Sequence, residues 1–400
     1  MDELQARSSV SGDLRLTAPS GNRHGPILFL HPSDEAYGAD RMLLETVEAA
    51  RMQGRHVEVL LADDGPRGWL SSMLEARGID YRRVDLAPVR RRYLRPRALP
   101  RLVASMYRAR RTIRARARAI GAEIIHVNTS ALLVGAIVGR PGGARLVWHV
   151  HEIVQRPKLL AWVFHTLPVT ASDDVVVISR AVGSHLRPSW LARRRVTVVH
   201  NGVAPRERRP MGVPDVGDPK VAFVGRLNRW KGYEIFVEAA HGVGQRNAEV
   251  GFVIAGDPPE GEEWRKDDLR LRVERAGLSD RVAILGYCSD APGLFDSVQI
   301  AVVPSILPEP FGMVILEAMR SGCAVVASNH GGAPEIIENE VSGLLVTPGD
   351  VEALSTAIGR LVDDEALRRR LGEAGERRAM RIFSLDQFRS AIQAVWDAFE

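Results

Sequence analysis

Short apolar runs alternate with helix-patterned segments along almost the whole chain. The runs fall at 26–31, 56–62, 123–127, 145–149, 175–178 and 196–199, with a charged strand-like stretch at 80–86 in the same alternation, and again at 220–224, 249–255, 282–285, 300–303, 324–327 and 343–346. Near-continuous apolar runs of this length suit strands buried on both faces. Strand–helix alternation then predicts parallel, doubly wound sheets with helices on both sides. Ligands of such sheets meet the carboxyl ends of the strands, so function is sought in the residues that follow each run. The alternation pauses once. Asn201-Gly202 is a turn signal, and 203–219 carries Pro205, Pro210, Pro214 and Pro219 among mixed charges, which reads as a linker. With 400 residues the chain is long enough for two domains. The expectation is therefore α/β: a polar flexible leader over 1–25, Rossmann-like domains over 26–204 and 205–380, and a last helix over 381–400.

Composition narrows the functional classes. The apolar stretches 131–139 and 159–170 are shorter than the ~20 residues of a membrane helix. The first residues lack the apolar core of a secretory signal. Cys288 and Cys323 make no disulfide framework and match no metal spacing, which fits a reducing cytoplasm. The formal charge is +5, unevenly spread: between Arg82 and Arg118 the only acidic residue is Asp85. Within that region 98–120 has helical spacing, with Leu99, Leu102, Val103, Met106, Ile113, Ala117 and Ile120 on one face. The outer face is then rich in arginine. It is either simply solvated or a contact, through Arg90–Arg118, with an anionic membrane surface or acceptor. Nucleic acid is not expected, because no binding module or interleaved aromatics accompany the arginines.

The stretch after 300–303 carries the chemistry. Pro304-Ser305-Ile306-Leu307-Pro308-Glu309-Pro310-Phe311-Gly312 is a stiff loop, and the helix that follows places Glu317 about one and a half turns in. A helix N-terminus after a strand offers unpaired N–H groups and a positive dipole to an anion. Carboxylates accept hydrogen bonds, so Glu309 and Glu317 beside such a site suit sugar hydroxyls better than phosphate. Either glutamate alone would read as an ordinary surface charge; the loop, the helix and the offset together read as a site.

Glu309-Pro310-Phe311-Gly312 followed by Glu317 resembles the signature of the retaining glycosyltransferases of family 4, which have the GT-B fold. The resemblance implies that Glu309 contacts the transferred sugar, that Glu317 holds the ribose hydroxyls, and that Phe311, Gly312, Met313 and Val314 approach the donor. It also covers Gly225 to Gly232, where Arg226 and Lys231 stand at the positions of the family's arginine and lysine. Two cations there would stabilise a diphosphate leaving group without a metal. Tyr287, just past Gly286, falls where backbone groups meet the base. His151-Glu152 matches a histidine–acid pair whose histidine touches the transferred sugar from the acceptor-side domain, whereas His149 reads as structural. At the first helix the family usually has two adjacent glycines; this chain has only Gly38, for which the resemblance implies a place at the donor phosphate. Gly331 to Glu335 resembles another loop near the donor. The last helix is expected to cross back to the first domain.

The fold and function implied are GT-B and transfer of a hexose-type sugar from a UDP- or GDP-linked donor to an acceptor hydroxyl, with retention. Polysaccharide, glycolipid or glycoside synthesis would be the context. No cofactor or metal is called for, since no Asp-x-Asp motif is present. Two rivals stand beside this reading: a nucleotide-sugar epimerase on the same fold, and an inactive scaffold that binds a membrane through its arginine face. No Gly-x-Gly-x-x-Gly follows an expected strand, which argues against a dehydrogenase.

Overall fold

Alternation along β1 shows how the chain builds its layers. Ile27 and Phe29 point into one core and Leu28 and Leu30 into another, all fully buried, so helices must cover both faces. The computed structural model describes residues 24–36, 38–63, 65–89, 97, 99–186 and 195–398. The first sheet contains β1 (Ile27–His31), β2 (Val57–Ala62), β3 (Asp80–Val84), β4 (Ile124–Val127), β5 (Arg145–Val150), β6 (Asp174–Val177) and β7 (Arg195–Val198). Its order is β3-β2-β1-β4-β5-β6-β7, and every pair is parallel. The connecting helices are α1 (Gly38–Met52), α2 (Trp69–Ala76), α3 (Leu99–Ala119), α4 (Gly135–Val138), α5 (Lys158–Ala171) and α6 (Arg180–His185).

The second half repeats the plan. It runs β8 (Lys220–Val224), α7 (Tyr233–Arg246), β9 (Gly251–Ala255), α8 (Arg265–Arg275), β10 (Val282–Gly286), α9 (Ala291–Phe295), β11 (Ile300–Val303), α10 (Met313–Arg320), β12 (Ala324–Ser328), α11 (Ala333–Ile336) and β13 (Leu344–Val346). The sheet order is β10-β9-β8-β11-β12-β13, again parallel. The strand order reverses between β1 and β4 and between β8 and β11, which are the two places where an open α/β sheet leaves a crevice. Helices α12 (Val351–Asp363), α13 (Glu365–Ile382) and α14 (Leu385–Asp397) follow.

Helix α14 leaves the second sheet and packs on the first. Phe388, Ile392 and Trp396 are buried with Ile27, Phe29 and Val47, and Gln393 donates to the Ala49 carbonyl of α1 at 2.7 Å. The return is pinned where the chain crosses between the sheets. Val203 N–H donates to Phe383 O and Leu385 N–H to Val203 O, at 2.8 and 3.0 Å. A Cβ at Gly202 would lie 2.6 Å from the Ser384 carbonyl oxygen, so only glycine fits this close approach.

Helix α3 corrects one expectation. Its buried line is Leu102, Ser105, Ala109, Ile113 and Ala117. Leu99 and Val103, expected on the core face, are half exposed, and Tyr107 continues their line outward. Ser105 and Ala109 take the inner positions because small residues let the helix approach the sheet and α4, while Ser105 Oγ bonds Asp85. Several arginines are also structural. Arg110 and Arg114 donate to the carbonyls of Ile137 and Val138 at the end of α4, and Arg116 grips the buried Glu58 carboxylate through two nitrogens. The expected contact region Arg90–Arg118 falls partly outside the described residues, since 90–96 and 98 are not among them. Among the described residues no helix is long and apolar enough to cross a membrane.

Candidate active site

The loop after β11 is held from three sides. Glycine makes each contact possible. At Gly232, the N-cap of α7 with φ 76°, a Cβ would meet the Pro304 carbonyl oxygen at 2.1 Å. At Gly331 it would meet Glu309 O at 2.3 Å, and at Gly332 the Phe311 O at 2.4 Å. Gly332 N–H donates to Glu309 O at 2.9 Å, and Ile306 N–H to Trp230 O at 2.7 Å. The loop therefore has little freedom, and Gly312, with φ 113°, turns it into α10. The Gly331–Glu335 segment lies against this loop, but Glu335 itself turns away to the first sheet.

Inside the loop, Glu309 is buried and paired. Lys231 Nζ donates to its Oε1 at 2.8 Å, and Ser305 Oγ donates to the same oxygen. Burial by itself would raise the Glu309 carboxyl. The Lys231 charge, its hydrogen bond, Ser305 and His330 outweigh that and hold it below the ordinary glutamate value. Lys231 also lies 4.4 Å from the centre of the Trp230 ring. Arg226 stands exposed at the end of β8 in the same turn. The loop thus presents one ionised carboxylate and cationic groups at the crevice between β8 and β11.

Glu317 sits on the fifth residue of α10, slightly earlier than one and a half turns, and is mostly buried. Burial raises its carboxyl above the ordinary value, against the opposing fields of Arg41 and Arg320. Arg41 belongs to α1, and its Nη1 is 3.6 Å from Glu317 Oε1 across the interface of the halves. Gly38, the first residue of α1, faces the same place: a Cβ on it would lie 3.7 Å from Met313 Cγ. The N-termini of α1 and α10 therefore converge, one from each sheet. Phe311 is buried and stacks on His200 at 5.7 Å between centroids, so its side chain anchors the loop. Met313 and Val314 are half-buried and pack on the core. Tyr287 is 67 % exposed, beyond the β10 end.

From the first sheet comes His151, just past β5. It lines a cleft of about 580 Å³ with Ile153, Arg156, Trp230, Leu307 and Pro310. Its Nε2 hydrogen-bonds Asn128 Oδ1 at 3.0 Å. Burial, with the nearby His31 and His126, brings its pKa down to about 3, so the ring is neutral at ordinary pH. Glu152 lines the same cleft and accepts from Thr129 Oγ1 and from Ser130 N–H. His149 is fully buried, as a structural histidine should be, yet only half satisfied: Nδ1 meets His126 Nε2 at 3.3 Å and Nε2 has no partner. Cys323 is buried, but Cys288 is only half-buried.

Gly38, His151, Lys231, Glu309, Phe311, Gly312, Met313, Val314 and Glu317 are thus gathered along one crevice, while Arg226 and Tyr287 are exposed just past the ends of β8 and β10. Sequence reasoning passed over Asn128, Arg41 and Trp230, and did not foresee that Glu335 reaches the other half. Asn128 follows β4 directly, and its place at a strand's carboxyl end was the available signal. Arg41 and Glu335 act across the halves, which no local pattern announces.

Two family models match the chain: Glycosyltransferase Family 4 over residues 36–207 and Glycosyl transferases group 1 over 206–378. An alpha-D-kanosaminyltransferase of Streptomyces kanamyceticus is 36% identical over 39% of this chain and 39% of its own length. The lipopolysaccharide core biosynthesis mannosyltransferase LpcC of Rhizobium leguminosarum bv. viciae is 34% identical over 56% of this chain and 64% of its own. The matched parts thus span less than two thirds of these relatives. The crystal structure of Anabaena HepE in complex with UDP superposes with a TM-score of 0.77 at 26% identity, over 93% of this chain and all of that one. The fold, the crevice and these matches place the chain in the glycosyltransferase family 4-like superfamily, with the GT-B fold.

Proposed function

We propose that this protein transfers a hexose-type sugar from a nucleoside-diphosphate sugar to an acceptor hydroxyl, with retention at the anomeric carbon. One observation carries the reading: the N-termini of α1 and α10 meet at Gly38 and Met313, beside the buried Lys231–Glu309 pair. Two helix dipoles and a cation suit a diphosphate, and the carboxylate suits the sugar. The donor diphosphate would lie between the helix ends, with Arg226 and Lys231 on its oxygens and Glu317 on the ribose. Lys231 would then exchange Glu309 for phosphate, which leaves the carboxylate available to the sugar. HepE is known in complexes with UDP and with UDP-glucose, which favours a UDP-sugar over a GDP-sugar.

In this mechanism the bond from the anomeric carbon to the diphosphate breaks, and the acceptor oxygen bonds that carbon on the same face. The acceptor proton passes to the departing diphosphate oxygen. Glu309 and the neutral His151 hold the sugar and stabilise its developing positive charge; neither is a covalent nucleophile, and no metal enters. The acceptor would enter along the cleft lined by Ile153, Trp230 and Leu307. The first domain would thus take the acceptor and the second the donor. A peripheral site at the inner face of the membrane is supported by the exposed Leu99, Val103 and Tyr107 beside the arginines of α3, and by the exposed Leu159 and Trp162 of α5.

The test is a thermal-shift panel with UDP, GDP, ADP and dTDP, first without and then with magnesium. A ligand at 100 times its Kd adds roughly 2.7 kcal/mol. Stabilisation by one diphosphate without metal is the expected result. Transfer to added acceptor, with no conversion of donor in its absence, separates a transferase from an epimerase. No stabilisation by any diphosphate would favour the scaffold, and binding to anionic liposomes would then be its remaining activity.

A further inference from the structure

Four buried polar side chains run in a line through the switch point of the first sheet. His151 Nε2 meets Asn128 Oδ1 at 3.0 Å. Asn128 Nδ2 meets His31 Nδ1 at 3.1 Å. His31 Nε2 meets Asp40 Oδ1 at 3.2 Å. Asp40, in the first turn of α1, also accepts from Ser33 Oγ at 2.9 Å and Glu35 N–H at 3.1 Å. His31 and Asn128 are wholly buried, Asp40 is 1 % and His151 7 % exposed. Each group sits on a different strand end or helix: β1, the segment after β4, the segment after β5, and α1.

The end group sets the direction of every hydrogen in the line. An ionised carboxylate only accepts. Asp40 is held ionised against its burial by His31, Ser33 and the Glu35 N–H. A neutral His31 then carries its proton on Nε2, facing the carboxylate, and leaves Nδ1 as a lone pair, whereas an imidazolium would donate from both nitrogens. Asn128 must turn its NH₂ toward that lone pair, which leaves Oδ1, an acceptor, for His151. His151 must then carry its proton on Nε2. A neutral imidazole has one N–H, so the remaining polar atom of the ring, Nδ1, is a bare acceptor on a side chain that lines the cleft.

We propose that Asp40, His31 and Asn128 are positioning residues that lock His151 in its Nε2–H form, so that its Nδ1 accepts a hydrogen bond from a free hydroxyl of the transferred sugar. The hydroxyl rests on the glycosyl-transfer reading; the locked form does not. The line also joins the two ends of the site. It starts in the helix whose N-terminus faces Met313 and ends at the histidine in the cleft. A donor whose corresponding position is deoxygenated, or carries fluorine, has no proton to give and is discriminated against.

Two measurements test this. In protein labelled with ¹⁵N-histidine, the His151 resonances, identified by loss in His151→Gln, report which nitrogen carries the proton. The wild type is expected to show Nε2 protonated and Nδ1 bare at neutral pH. Asp40→Asn, whose amide can donate as well as accept, and the isosteric Asn128→Leu are expected to show a mixture of both forms. Nucleotide affinity should be unchanged in Asn128→Leu, which confirms the fold, while kcat falls roughly tenfold, the size of one hydrogen bond of about 1.4 kcal/mol. In the second measurement, monodeoxy and monofluoro donors are compared in wild type and His151→Ala. One position should show a loss in wild type that disappears in the variant. A wild-type His151 protonated on Nδ1, as an imidazolium at His31 would enforce by flipping Asn128, overturns the proposal. So does an Asn128→Leu variant with an unchanged single form and unchanged kcat. If no donor is turned over at all, the transfer reading fails while the ¹⁵N result still decides the locked form.

Discussion

Glu309 and Glu317 lie eight residues apart, yet their surroundings push them in opposite directions. Glu309 has Lys231 and Ser305 on one oxygen and stays ionised below the ordinary glutamate range. Glu309→Ala removes the carboxylate that pairs with Lys231 and the group assigned to the sugar. Turnover is expected to fall about 10²–10³-fold, the scale of one preorganised electrostatic contact, with nucleotide affinity retained. Unchanged turnover would remove Glu309 from the mechanism. Glu317 lies under α1, and burial raises its carboxyl above the ordinary glutamate value. The folded protein thus binds this proton more tightly than the unfolded chain does. That costs stability as pH rises from about 4.5 through the folded value, and nothing well below it. Glu317→Gln should therefore raise the Tm of the unliganded protein near pH 8 and leave it unchanged near pH 4. The same variant should weaken nucleotide binding, since an amide replaces the ribose acceptor. A Tm gain equal at both pH values would assign the effect to packing rather than charge.

At the scale of elements, the chemistry depends on a loop whose position is set by close backbone approach as well as by Phe311 and Glu309. The loop is fixed by backbones pressing on backbones at Gly232, Gly331 and Gly332. Gly332→Ala would place a methyl 2.4 Å from the Phe311 oxygen, so the loop or α11 must shift. Overpacking of this kind costs about 1–3 kcal/mol. A displacement near 1 Å at a reacting centre costs roughly 10²-fold in rate. The expectation is a modestly destabilised enzyme with a far larger loss of kcat, checked by urea melts beside steady-state kinetics. Gly349, whose added Cβ would meet nothing within 4 Å, lies in a loop away from the site. Its φ of 77° strains any replacement, so Gly349→Asn, a residue that tolerates this region, is the control that should leave kcat alone. Element positions such as α3, β11 and α10 were legible from periodicity and glycine punctuation. The inner face of α3 was legible at Leu102, Ile113 and Ala117 but not at Ser105 and Ala109, which face the core for reasons of clearance that hydrophobicity does not encode.

Across the whole molecule, the halves are tied by a small number of polar contacts beside the crossing backbones. Glu335 accepts from the N–H groups of Arg180 and Ala181 at 2.9 and 2.8 Å, and pairs with His200 Nε2 at 3.0 Å. Ser179 Oγ donates to the Pro310 carbonyl, in the active loop itself. Opposite burial, His200 and the two N–H groups hold the Glu335 carboxyl below its ordinary value. Glu335→Ala leaves those N–H groups without an acceptor, at a cost of about 1–3 kcal/mol. The variant should have a lower Tm and a broader distribution of distances between spin labels on the two halves. A distribution as narrow as that of the wild type would mean that the crossing at Val203 and Phe383 alone sets the arrangement.

The chain by itself determined a great deal: which runs are strands, and that Glu309, Glu317, Arg226, Lys231 and His151 come after strand ends. These are local properties, carried by periodicity, by proline and glycine, and by spacing within one loop. Only the tertiary structure decided that Lys231 and Glu309 share a hydrogen bond over 78 residues of sequence, or that Gly38 faces Met313. It alone put Asp40, His31, Asn128 and His151 in one line. The physical reason is that a hydrogen bond depends on position to within tenths of an ångström and on what else competes for each atom. Sequence spacing says nothing of either once the partners lie on different strands.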